Sequence, residues 1–174
     1  MTRYQLAKLV QWAGTLHSRK RLQKVVFLLQ AGGCPFEADY VLHHYGPYSQ
    51  EVARLSDEMV RFGLLKESTT KNTVGVQYSY TWGDPVAPGI AELESTPKGK
   101  QFAEQMAPYE QKGKELLSAD LSLLEVASTI AYFRKHGHDW PDAVERTCKF
   151  KSLDASSGAK FIKKAEELAR QFIA

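Results

Sequence analysis

The chain has 174 residues, of which 43% are hydrophobic and 25% charged, with a formal net charge of +3. That composition is normal for a soluble globular protein long enough to bury a core without disulfides or metal, so Cys34 and Cys148 are not needed as staples. The net charge is too small to imply nucleic acid by itself, but its distribution is uneven. The first 36 residues carry Arg3, Lys8, Arg19, Lys20, Arg21 and Lys24 and no acid, the earliest carboxylate is Glu37, and residues 37–94 sum to −5.

Residues 3–13 read as a helix with Leu6, Leu9, Val10 and Ala13 on one stripe, ended by Gly14 and Thr15. Ser18 is placed to cap a second helix over 19–31, whose core stripe is Leu22, Val25, Val26 and Leu29. Phe27 and Leu28 lie off that stripe, so the middle of this helix is apolar nearly all round. It is expected to be buried centrally, with its basic first turn emerging, and Gly32-Gly33 stops it. Residues 39–45 favour a short strand, broken by Gly46-Pro47. Ser49 caps a third helix to Phe62 with Val52, Leu55, Met59 and Phe62 as its stripe, and Gly63 follows as the C′ residue.

A strand begins at 64–67, and 68–73 read as a polar turn. From Val74 to Trp82 the period is two, with Val74, Val76, Tyr78, Tyr80 and Trp82 on one face, most simply the core face of the sheet. Residues 83–95, with Gly83, Pro85, Pro88 and Gly89, read as a loop or linker. Thr96-Pro97 starts a helix to about 117, interrupted at Pro108. Further helices follow over about 120–136, from Trp140-Pro141 to about 150, and over about 156–173. The expected fold is α+β and mainly α. Residues 1–83 form a winged-helix-like unit with a β-hairpin wing, 84–95 a linker, and 96–174 a helical extension packed on it, the two halves need not be separate domains, and the apolar helical faces of the second half serve either the core or a homodimer.

Two stretches carry a resemblance: Lys20-Arg21-Leu22-Gln23-Lys24-Val25-Val26-Phe27-Leu28-Leu29, and Tyr40 through Ser49 with its aromatic-Gly-Pro-Tyr-Ser turn. Together with the helix around Leu124-Glu125-Val126-Ala127-Ser128-Thr129, they resemble the YwgA-like proteins, a bacterial family without an assigned function. More distantly, residues 18–65 are similar to the Panacea domain of SocA-type antitoxins and proteolytic adaptors. That likeness implies toxin neutralisation through protein–protein contact, by analogy of fold alone.

Arg19, Lys20, Arg21 and Lys24 are the first candidate site. Lys20 and Lys24 share the side opposite the core stripe, where they are placed to hold phosphates or carboxylates of a partner. Four cations at a helix N-terminus oppose its dipole, which hints at a role other than stability. The alternative is a solvated face neutralised by Glu37, Asp39 or the third helix. His43, His44, Tyr45 and Tyr48 form the second candidate, either as a recognition turn or as a structural one in which Gly46, Pro47 and Ser49 set the backbone. The outward residues of the third helix are Gln50, Glu51, Arg54, Asp57, Glu58 and Arg61, a poor set for entering a groove lined by phosphates. DNA contact would then run through Lys71 in the wing and the second helix.

His136-Gly137-His138-Asp139 with Cys148 nearby lacks a recognised ligand spacing and reads as a polar loop, with Asp139 or His138 as a cap, so no metal and no cofactor are assigned. A nucleophile elbow, a phosphate-binding loop, a dinucleotide fingerprint and a zinc-protease motif are all missing, so no enzymatic activity is expected. The longest strictly apolar run is 25–29, far short of the ~20 residues of a membrane helix. With no signal-like stretch at the start, the expectation is a cytoplasmic protein with free thiols. It binds a protein partner, toxin-like or a proteolytic target, and the alternative is a winged-helix DNA-binding regulator.

Overall fold

The structure, a computed structural model, describes residues 1–72, 75–154 and 158–173. Val74 and residue 73 of the expected turn lie outside the described residues, as does the expected start of the last helix at 156. The chain begins with α1 (Arg3–Ala13), β1 (Leu16–His17), α2 (Arg19–Ala31), β2 (Val41–His43), β3 (Gly46–Tyr48) and α3 (Gln50–Arg61). β4 (Leu65–Asn72) and β5 (Gly75–Trp82) follow, then α4 (Val86–Ser95), α5 (Pro97–Met106) and a 3₁₀ turn (Ala107–Tyr109). The remainder is α6 (Glu110–Ser118), α7 (Leu121–Lys135), α8 (Trp140–Lys151) and α9 (Ala159–Arg170). The fold is therefore α+β and mainly α, with two small antiparallel sheets ordered β1-β5-β4 and β2-β3. No helix among the described residues is long and apolar enough to cross a membrane.

Local chemistry sets most helix ends. Thr2 and Gln5 form a reciprocal capping box at α1, in which the Thr2 hydroxyl accepts from the Gln5 amide at 3.3 Å and the Thr2 amide donates to Gln5 Oε1 at 2.8 Å. Ser18, Ser49, Thr96, Asp120 and Asp139 each accept a backbone N–H at the start of α2, α3, α5, α7 and α8. α3 ends in a Schellman pattern: Leu64 N–H donates to Met59 O at 2.8 Å and Gly63 N–H to Val60 O at 3.0 Å, with Gly63 at φ +69°.

α2 is the centre of the molecule. Every residue from Leu22 to Leu29 is buried, because α2 packs against α6, α7 and β3 at once. A hydrophobic core runs from α1 through α2 to Phe172 and joins the first half to the helical second half. Close approaches need glycine at two of its joints. A Cβ on Gly113 of α6 would meet the Trp12 ring at 2.7 Å, and one on Gly32 would meet Phe172 at 3.0 Å. On the sheet, Tyr80 is buried, and the Trp82 indole donates to Ala7 O at 2.7 Å, tying β5 to α1.

Several expectations need correction. Leu16–His17, to which the sequence reading assigns no element, pair with Tyr80 and Ser79 as β1. Gly46-Pro47, read as a strand breaker, lies within β3, where Pro47 faces Leu42 and makes its turn-side ladder with one strand only. Residues 68–72, read as a polar turn, continue β4, since backbone pairing to β5 requires no apolar alternation on an exposed ribbon. Residues 86–95 of the expected loop or linker form α4, with Pro88 in its first turn, where its missing N–H is no loss. Phe62, assigned to a core stripe, is 58% exposed at the C-cap of α3, between the guanidinium groups of Arg3 and Arg61.

Candidate functional site

The two stretches that carry the family resemblance meet in space. On α2, Gln23 is buried and holds both backbone groups of Ser49: its Nε2 donates to Ser49 O at 2.9 Å, and its Oε1 accepts from Ser49 N at 2.8 Å. The next residue, Lys24, donates from Nζ to Pro47 O at 2.7 Å. From the other side α7 closes on Gly46, whose φ is +95° and whose Cβ position lies 2.5 Å from Thr129 Oγ1. The Leu-Gln-Lys segment and the Gly-Pro-Tyr-Ser turn are thus two halves of one clamp. It holds a three-residue-per-strand hairpin between α2 and α7 while Ser49 starts α3.

Lys24 is only 2% exposed, which overturns the expectation that it projects from the side of α2 away from the core. That side is covered too, by the β2–β3 hairpin and α7. Burial pushes the Lys24 amine down to about 7, and the charges of Lys151 and Lys20 act in the same direction against the favourable Glu125 carboxylate. Glu125 on α7 faces Lys20 at 3.9 Å through one oxygen and Lys151 on α8 at 3.5 Å through the other. Burial also lowers the pKa of Lys151.

The other cations of α2 are engaged in different ways within the fold. Burial works against the Arg19 charge. The hydrogen bond to Glu67 and the nearby Tyr80, Glu67 and Asp57 outweigh it and hold the guanidinium above its usual range. Its ion pairs are 2.8 Å to Glu67 on β4 and 3.3 Å to Asp57 on α3, and it lies over the Tyr78 ring at 4.3 Å. For Arg19, the neutralisation by the third helix that the alternative reading offered is present, joined by β4. Arg21 turns the other way and donates to Leu117 O at 3.1 Å and to Ala119 O, satisfying carbonyls at the C-terminal end of α6. Burial depresses its pKa, with Asp120 opposing.

A cavity of about 280 Å³ opens between α2, the β2–β3 hairpin and α3. Arg19, Lys20, Lys24, His43, Tyr45 and Tyr48 all line it, with Ser56 of α3 behind them. Lys20 sits 3.3 Å from the centroid of the Tyr45 ring, a close cation–π contact, and the His43 and Tyr48 rings lie 5.4 Å apart. The remaining candidates fall elsewhere. Arg21 is on the α6 side, His44 is exposed at the hairpin turn, and Lys71 is on β4 opposite Val76 near the end of the long hairpin.

Gln23, Glu125, Thr129 and Lys151 were not singled out from sequence, although they build the clamp and its charge. The available signal was a polar Gln-Lys pair continuing into a fully apolar helix, since a buried amide must find partners. In the 136–139 loop, His138 Nδ1 and Asp142 Oδ2 are 2.6 Å apart, His136 stacks on Tyr132 at 4.0 Å, and Asp139 caps α8. Arg146 first, then His138, holds the Asp142 carboxyl below its usual range.

No family model matches the chain. The chain is similar to the uncharacterised protein YwgA of Bacillus subtilis (strain 168), with 29% identity over 130 residues, 74% of this chain and 72% of that protein. With the clamp assembled from the residues that first suggested it, that alignment bears out their resemblance to the YwgA-like proteins.

Proposed function

We propose that this protein is a non-catalytic binding protein, antitoxin- or adaptor-like, that holds a protein partner on the surface made by the first turn of α2 and the β2–β3 hairpin. The observation that carries this reading is the Tyr45 ring, 49% exposed at the hairpin turn with the Lys20 ammonium against it, on the same hairpin as Val41, which is 61% exposed. An exposed aromatic braced by a cation is the kind of group that anchors protein interfaces. The cations around the cavity would steer an acidic surface toward it, and the partner would be occluded or delivered rather than transformed. The distant Panacea likeness points to the same class. Two buried, unpaired thiols, Cys34 and Cys148, fit a reducing cytoplasm.

The second reading is a winged-helix DNA-binding regulator. One observation favours it: β1 pairs with β5, the second strand of the long hairpin, giving the order β1-β5-β4 of a helix–strand–helix–helix–wing unit with Lys71 on the wing. Against it, the outward face of α3 carries Glu51, Asp57 and Glu58 beside Arg54 and Arg61, and Arg19 is already engaged by Asp57 and Glu67.

A pull-down from native lysate at moderate salt, with and without nuclease, separates the two. The expected result is a stoichiometric protein that survives nuclease and is lost with Tyr45→Ala. Recovery of nucleic acid alone, falling away steeply with added salt, would overturn the first reading in favour of the second.

A further inference from the structure

Around Glu125 the charges do not balance. Lys20, Lys24 and Lys151 all face that one carboxylate, and it meets Lys20 and Lys151 through separate oxygens. Lys24 is 2% exposed, with three N–H donors and one hydrogen-bond acceptor, Pro47 O, among the described residues. Lys20 is 3.9 Å from Glu125, beyond hydrogen-bond range, and among the described residues its ammonium also lies against the face of Tyr45. Arg19, by contrast, has two carboxylates of its own. Lys24 is buried and the Lys151 side chain mostly so, while the Lys20 side chain is 42% exposed. A positive charge at Lys24 is costly unless an anion meets it or the amine gives up its proton.

The surplus borders the cavity, because Lys20 and Lys24 both line it. The rest of the lining is Arg19, Gly46, Leu22, Ala53 and the rings of His43, Tyr45 and Tyr48, with Gln23 and Ser56 as the polar neutral side chains. At about 280 Å³ the space is close to the lower end of small-ligand pockets and suits a single side-chain-sized group.

We infer that this cavity binds a carboxylate carried on a small, flat apolar body, the anion meeting Lys20 and Lys24 and the apolar part lying against Leu22, Tyr45 and Tyr48. The inference rests on the reading of this face as a binding surface and names the chemistry it takes. A protein chain ending in an aromatic residue presents that group, and so does a free aromatic acid.

The test titrates the full chain with N-acetylphenylalanine, N-acetylphenylalanine amide and phenylacetate, following amide resonances by NMR. The acid should bind about tenfold or more tightly than its amide, and Lys20→Met should weaken it by a similar factor without unfolding the protein. Lys24→Met should do the same. If N-acetylphenylalanine outbinds phenylacetate, the cavity reads a chain terminus. If the two bind alike, it reads the free acid.

The acid's affinity should also fall as pH rises above about 7, where Lys24 loses its proton in the unliganded protein. The other charged groups facing Lys24 are Lys20 on α2, Glu125 on α7 and Lys151 on α8, with Arg19, His43 and Tyr45 on the cavity wall. His43→Gln should keep the pH dependence and Lys24→Met should abolish it.

Equal binding of acid and amide, no binding at about 10 mM, or indifference to both lysine variants would each overturn the inference. Probe failure with a partner still captured from lysate sinks this inference alone. Probe binding with no protein partner sinks the adaptor reading and leaves the cavity's chemistry in place.

Discussion

The short hairpin, β2–β3, pairs three residues on each strand, whereas the long one, β4–β5, pairs eight and gains a third strand from β1. A two-stranded ribbon of three residues is at best marginal in water, so its place has to be set from outside. Gln23 and Lys24 from α2 and the close fit of Gly46 to Thr129 on α7 do this with buried polar contacts. The long hairpin relies on its own ladder, and its outer half, from Ser68 to Lys71 on β4, is exposed. The contrast teaches where polar residues matter here. In the clamp a lost hydrogen bond leaves a buried group without a partner, while on the long hairpin water takes the partner's place.

The sharpest way to break the contrast is Gly46→Ala. The position combines φ +95° with a Cβ site 2.5 Å from Thr129 Oγ1, so strain and overpacking add. The expected loss is about 2–4 kcal/mol in denaturant melts, and a near-neutral result would mean that the hairpin is free to move off α7.

Gln23→Ala comes next. It strips partners from the Ser49 N–H and C=O together and should cost roughly 2–3 kcal/mol by the same melts. A loss below that of an ordinary surface change would show that Ser49 finds other partners.

Lys24→Met tests the buried amine through its pH dependence. The folded value is depressed to about 7 from 10.5, so the unfolded chain binds more protons between those limits and the charge penalty is relieved as pH rises through them. Wild-type stability relative to the variant should therefore increase from pH 7 upward, by up to about 5 kcal/mol at the top of that range, with each pKa unit worth about 1.4 kcal/mol. Parallel stability curves would remove the buried-charge account.

Lys71→Ala, on the exposed ribbon, should change stability by less than about 0.5 kcal/mol in a thermal melt. A larger effect would mean that the long hairpin, too, depends on side-chain contacts.

Helix positions were legible in the chain because their signals are local. Ser18 and Ser49 accept the first N–H groups of α2 and α3, Thr96-Pro97 opens α5, and Pro108 separates α5 from α6. Six of the candidate residues named from the basic cluster and the aromatic turn line one cavity. The placement of Lys24 and of residues 68–72 failed, as did the reading of 86–95 as a loop and of Phe62 as core. An exposed ribbon needs no alternation to pair, and a lysine's burial depends on what covers it, here the hairpin and α7.

The sequence by itself determined where most helices start and stop and that α2 is apolar nearly all round. Those properties follow from caps, periodicity and turn chemistry within a few residues. Only the tertiary structure decided what the four cations of α2 do: Arg19 pairs with Asp57 and Glu67, Arg21 caps α6, Lys20 shares Glu125 and braces Tyr45, and Lys24 is sealed beneath the hairpin. Their partners lie from 23 to more than 100 positions away along the chain, and a charge takes its role from neighbours that folding alone brings to it.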